Sequence, residues 1–180
     1  MNRQRELLTD EKLVRCVRWP RDLSAKEILA KLLLVERFID FDNTLVVYHQ
    51  SKLPILRDPF CGKPLAEFLA EKPFAIQTWH GGILPEALFD LDERRALTTG
   101  DLEHYASIFK TRNLPQPALI FTPPVRIIKV SRDTIPHRDD VDGRRLCKDF
   151  QTLDLREGAE IYDDEPNHLC APGFKIISSF

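Results

Sequence analysis

The stretch FIDFDNTL, residues 38–45, opens as a hydrophobic strand, then places two carboxylates two residues apart and a threonine two further on. Side chains at i and i+2 of an extended chain point the same way, so Asp40 and Asp42 converge on one spot. Two like charges that close repel unless a cation or a shared proton sits between them. The end of this strand is therefore read as the rim of a polar site and its beginning as core.

The flanking sequence says what kind of sheet the strand joins. SAKE (24–27) fits a capping box, which predicts a helix from Ala25 through EILAKLLL that delivers the chain to VERFIDFD. Downstream, PLAEFLAEK (64–72) reads as a helix with Pro in its first turn, RRALTT (94–99) as a strand and LEHYASIFK (102–110) as a helix. PALIFT (117–122) and VRIIKV (125–130) read as strands, RRLCKDFQTL (144–153) as a helix and AEIYDD (159–164) as a strand. Strands alternating with helices predict an α/β domain with a mainly parallel sheet. In such sheets ligands sit beyond the carboxyl ends of the strands, at the topological switch point. Three of the expected strands end in polar groups: Asp40 with Asp42, Thr98 with Thr99, and Asp163 with Asp164.

Bulk properties limit the rest. A chain of 180 residues suits one domain with a real core, here a helical N-terminal extension over 1–34 and an α/β domain over 35–180. The net charge of −2 argues against an overall electrostatic claim on nucleic acid, although residues 1–31 hold eight Lys or Arg against five Asp or Glu. Cys16, Cys61, Cys147 and Cys170 lack the close pairs of zinc sites, so reduced thiols and an intracellular, cytoplasmic setting are expected. No run approaches the roughly 20 apolar residues of a membrane span. The acids among residues 1–11 weigh against a mitochondrial presequence, and no apolar h-region of a signal peptide is present. Neither GxxxxGK[ST] nor GxGxxG occurs, which removes the usual nucleotide-cradling loops.

Acidic groups gathered at one sheet edge call for a hard cation, and Mg²⁺ takes oxygen ligands from one or two carboxylates, waters and substrate phosphate. Enzymes of phosphoryl transfer act mainly by positioning and by neutralising the transferred oxygens. A carboxylate in such a site attacks phosphorus to form an aspartyl-phosphate, and a second acid protonates the departing alkoxide.

The order of these motifs, DxDxT, then Thr at a strand end, then Lys, then a strand ending in acids, resembles the haloacid dehalogenase superfamily over residues 35–170. That resemblance implies a Rossmann-like three-layer sandwich and a Mg²⁺-dependent phosphatase. It implies Asp40 as nucleophile and Asp42 as general acid and base, with Thr99, or Thr98 if the strand is one residue shorter, beside Gly100 as the phosphate-holding motif. Asn43 and Gly100 would also meet substrate, and Asp163 and Asp164 would complete a metal site with Asp40 and Asp42. The lysine of the pattern is Lys148 or Lys129; spacing places Lys148 ahead, on a helix before the last motif strand. More narrowly, FIDFDNTL, TWHGGILPE (78–86), LTTG, CKDF and IYDDEPNH are similar to the haloacid dehalogenase domain of Swiss Army Knife RNA repair proteins, which implies RNA end phosphates as substrate. Asp101 and Glu165 stand where those relatives carry Arg, so nucleic acid would have to meet other cations such as Arg94, Arg95, Arg126 or Arg132.

Between Leu45 and Arg94 there is too little chain for a full cap domain, and residues 79–82 (WHGG) are either a short flap with Trp79 as a stacking face or a turn around a buried Trp. His168 is an ordering group at the rim rather than a metal ligand, and HRDDVDG (137–143) lacks the ligand spacing of an EF-hand. A small-molecule phosphomonoesterase, a receiver-like domain and a silent binding module remain as alternatives. Receivers place paired acids after the first strand and their phosphorylated Asp after the third, the reverse of the order seen here.

Overall fold

The computed structural model describes residues 18–20, 22–48, 54–78, 99–131, 140, 142–151, 153 and 155–180. Helix α1 (Ala25–Leu34) starts where the capping box predicts. The Glu27 amide donates to Ser24 Oγ at 3.2 Å and the Ser24 amide to the Glu27 carboxylate at 3.3 Å, satisfying two otherwise orphaned donors. Ile28 and Leu32, one turn apart, form its buried stripe.

Strand β2 (Arg37–Asp40) is buried along its whole length and lies inside a six-stranded sheet. The order is β1 (Arg18–Trp19), β6 (Ile120–Phe121), β5 (Phe74–Gln77), β2, β9 (Glu160–Tyr162), β11 (Lys175–Ile177). Every pairing is parallel except that of the edge strand β1 with β6. The expected mainly parallel α/β architecture is what the chain forms.

Alternation along these strands divides the core between the two faces of the sheet. Ile39, Ile76, Ile120 and Tyr162 face one cluster, shared with Leu65, Phe68 and Leu69 of α2 (Leu65–Ala70) and with Leu102, Ala106 and Phe109 of α3 (Thr99–Thr111). Phe38, Ala75, Phe121 and Ile161 face the other, shared with Ile28 and Leu32 of α1 and with Phe150 and Leu153. Phe38 meets Phe121, Phe150 and Phe174 edge-to-face at centroid distances of 6.3, 5.5 and 6.4 Å. Removing each such side chain from water contributes about 1.5–3 kcal/mol, which fixes the strand register on both faces at once. Strand β1 pairs within this sheet, and Ile28 and Leu32 of α1 pack into this core.

Two expectations are corrected here. Residues 144–149 form strand β8 (Arg144–Asp149), not a helix; it pairs antiparallel with β7 (Val125–Lys129) and parallel with β10 (Leu169–Cys170) in a second, three-stranded sheet. The reason is burial on both faces: residues 145–150 are all buried, so no helical period shows, and five register pairs with β7 decide the conformation. Thr99 opens α3 instead of ending a strand, and residues 94–98 of that expected strand lie outside the described residues.

The hairpin of β3 (Val46–Tyr48) and β4 (Pro54–Leu56) follows the loop after β2, and a 3₁₀ turn (Pro166–His168) precedes β10. Among the described residues no helix is long and apolar enough to cross a membrane. From β2 the chain proceeds to β5 and β6 on one side, then crosses to β9 and β11 on the other. The switch point is the carboxyl end of β2.

Candidate metal and phosphate site

Register places the site. Asp40 is paired with Gln77 of β5, and Ile39 with Tyr162 of β9, so Asp163 is the next position beside Asp40 on its other flank. Gln77, Asp40 and Asp163 thus stand in a row across the carboxyl edge of three parallel strands, all buried. The Asp163 amide is held by the Ile177 carbonyl at 3.0 Å.

A tight turn then brings Thr44 back onto the row. The Leu45 amide donates to the Asp40 carbonyl at 3.2 Å and the Val46 amide to the Phe41 carbonyl at 3.1 Å, with Asn43 at φ 61°. Asn tolerates this left-handed conformation better than most residues. Arg57 clamps the turn, donating to the carbonyls of Thr44 (2.8 Å) and Asn43 (3.2 Å). The buried Thr44 hydroxyl lies 3.3 Å from Asp40 Oδ2 and 3.2 Å from Asp164 Oδ1, and accepts from the Asp164 amide at 3.1 Å. One side chain therefore ties the loop after β2 to the loop after β9.

Carboxylate oxygens of Asp40, Asp163 and Asp164 lie within 4.8 Å of one another. Lys148, buried at the end of β8, reaches from the second sheet to donate to Asp163 Oδ2 at 2.7 Å and Asp40 Oδ1 at 3.2 Å. Asp163 receives two further donors, Gln77 Nε2 on Oδ2 at 2.9 Å and the Glu165 amide on Oδ1 at 2.9 Å. Burial pushes the Asp40 carboxyl well above its usual range; Lys148 pulls it down, but the charges of Asp163, Asp164 and Asp42 push it further up. Burial works against the Lys148 ammonium, yet Asp40 and Asp163 outweigh it and hold the pKa above the ordinary lysine value.

Of the four expected metal ligands the structure gathers three. Asp42 is half-buried and near enough for its charge to act on Asp40, but its carboxylate is not part of the group. The extended geometry that would have aligned it with Asp40 ends at residue 40, where β2 gives way to the turn. Between the two candidate lysines, Lys148 is in the site, delivered by a strand and not by a helix, whereas Lys129 is exposed on β7. Asn43 is exposed in the turn. Thr99 and Gly100 are the first residues of α3, and Thr98, the 79–82 segment, Arg94, Arg95 and Arg132 lie outside the described residues.

Two contributors were missing from the expected set of site residues. Thr44 was visible in the DxDxT spacing, and its role as a tie between loops depends on where β9 ends. Gln77 carries the same signal as Asp40, a polar residue closing an apolar strand in FAIQ, but an amide brings no charge to single it out.

Three carboxyl groups, two of them buried, meet one ammonium, and every candidate ligand atom is a hard oxygen. That donor set fits a cation of the Mg²⁺, Ca²⁺ or Mn²⁺ kind rather than a thiophilic metal. Comparison with protein-family models, with curated proteins and with solved structures finds no match for this chain.

Proposed function

We propose that this protein is a phosphohydrolase of the haloacid dehalogenase type, dependent on Mg²⁺ and acting on phosphate monoesters through an aspartyl-phosphate at Asp40. The observation that carries the reading is the junction of Asp40, Asp163 and Asp164 at the switch point of a mainly parallel sheet, with Lys148 bridging two of them.

In this reading Asp40, Asp163 and Asp164 hold the cation, whose charge offsets that of the phosphoryl oxygens. A carboxylate oxygen of Asp40 attacks phosphorus, the ester P–O bond breaks, and the leaving alkoxide takes a proton from Asp42 at the mouth of the turn. Asp42 then takes a proton from the water that cleaves the acyl phosphate, which regenerates Asp40 and releases inorganic phosphate. Lys148 keeps Asp40 and Asp163 in place before substrate arrives, and Thr44 fixes Asp164 relative to Asp40.

The test is a turnover screen of the full chain with Mg²⁺ against an aryl phosphate, mononucleotides, and 3′- or 5′-phosphorylated oligoribonucleotides, with Asp40→Asn as the blank. Phosphate release that needs both Mg²⁺ and Asp40 supports the proposal. Release confined to the oligonucleotides would specify RNA ends as substrate, and none with any substrate would leave a binding module.

A further inference from the structure

Gln77 closes β5 directly beside Asp40, fully buried, with its amide nitrogen 2.9 Å from Asp163 Oδ2. That contact fixes which way the amide faces, because turning it over would set its carbonyl oxygen against a carboxylate oxygen. The carbonyl oxygen Oε1 is thereby left as a buried acceptor, and it has no partner among the described residues. Buried acceptors without a donor are rare in folded proteins and costly to keep. The donors nearby, the Lys148 ammonium and the Thr44 hydroxyl, are engaged with the carboxylates instead. A cluster of acids that calls for a cation and an unpartnered neutral acceptor on the residue beside it are two separate observations at one strand end.

We propose that Gln77 Oε1 is a binding group of this site, accepting a hydrogen bond from a water carried by the divalent cation held at Asp40, Asp163 and Asp164. The proposal rests on the cation-site reading above and adds a basis for choosing between cations. Mg²⁺ demands near-octahedral geometry and gives up its waters reluctantly, so it keeps several when bound, whereas the larger Ca²⁺ takes six to eight oxygen ligands in flexible geometry. An acceptor placed for a cation-held water therefore favours Mg²⁺ over Ca²⁺. If Gln77 only oriented Asp163, its loss would weaken both ions alike.

Calorimetric titration of the full chain with Mg²⁺ and with Ca²⁺, for wild type, Gln77→Leu and Gln77→Asn, separates these cases, with thermal melts to confirm folding. Gln77→Leu is expected to weaken Mg²⁺ binding by about tenfold while moving Ca²⁺ by no more than about twofold. Equal losses for the two ions, or no change in either, would overturn the role of Gln77 and leave the cation site standing. A wild-type chain that binds neither ion would instead remove the cation site itself, and this inference with it. Should Gln77→Leu not fold, Gln77→Asn decides: the shorter amide stays neutral but withdraws its oxygen, so a loss confined to Mg²⁺ supports the proposal and equal losses, or none, refute it.

Discussion

The Lys148 ammonium lies 2.7 Å from Asp163 Oδ2, a buried ion pair that joins the three-stranded sheet to the six-stranded one at the carboxyl end of β9. Without it, the charges of Asp40 and Asp163 would face each other across adjacent strands with nothing between them. Lys148→Met is therefore expected to lower stability by about 3–5 kcal/mol, the usual cost of removing one partner from a buried pair. Urea denaturation measures this loss. Because a cation can take over the neutralising role, added Mg²⁺ should raise the melting temperature more in the variant than in wild type; an equal rise would mean that Lys148 does not share its partners with a metal.

Asp40→Asn should stabilise the metal-free protein at neutral pH. The folded-state pKa of Asp40 is raised, so its contribution to stability is fully present below the unfolded value and is lost as pH rises toward the folded one. An uncharged isostere escapes that loss. The melting temperatures of the two proteins should thus agree at pH 3 and diverge in favour of Asn above about pH 4, the ordinary range of an aspartic acid. Divergence in the opposite direction would show that Lys148 outweighs burial and the neighbouring acids.

Thr44→Val keeps the shape of the buried side chain and deletes its hydroxyl. The Asp164 amide then loses its acceptor and the carboxylates of Asp40 and Asp164 lose their shared contact. A destabilisation of about 1–3 kcal/mol is expected from the stranded groups. In hydrogen exchange the Asp164 amide should lose protection ahead of the amide of Ile161 in the core of β9; unchanged protection would show that Thr44 does not hold the loop.

Phe38→Ala tests the core beneath the site. Phe38 is fully buried and two residues before Asp40, and it touches three other aromatic rings. Loss of about 3–5 kcal/mol is expected from the transfer and cavity terms together. Cation affinity of the remaining folded fraction should stay within about threefold of wild type, since the carboxylates are set by backbone register rather than by this ring. A far larger drop in affinity would tie the site's geometry to this face of the core.

The strands, the helices and the position of the site differ in how much of them can be read along the chain. The capping box at Ser24 and Glu27 and the apolar run into Asp40 involve only neighbouring residues, so the local sequence specifies them. The acid-ended strands β2 and β9 could be recognised for the same reason, and the alternation of elements was enough to predict a mainly parallel sheet. Residues 144–149 could not be assigned locally: a run buried on both faces has lost the periodicity that separates strand from helix, and only pairing with β7 decides it.

By itself, then, the sequence determined that acids would close two apolar strands and that those strands would lie in one sheet, because short-range propensity and burial pattern are properties of contiguous residues. Which groups meet was decided by the tertiary structure alone. Strand order set Asp163 beside Asp40, the second sheet delivered Lys148 and left Lys129 exposed, and the turn that follows Asp40 moved Asp42 out of the carboxylate group while returning Thr44 to it. Convergence of side chains up to 124 residues apart depends on register and crossover, which no local segment encodes.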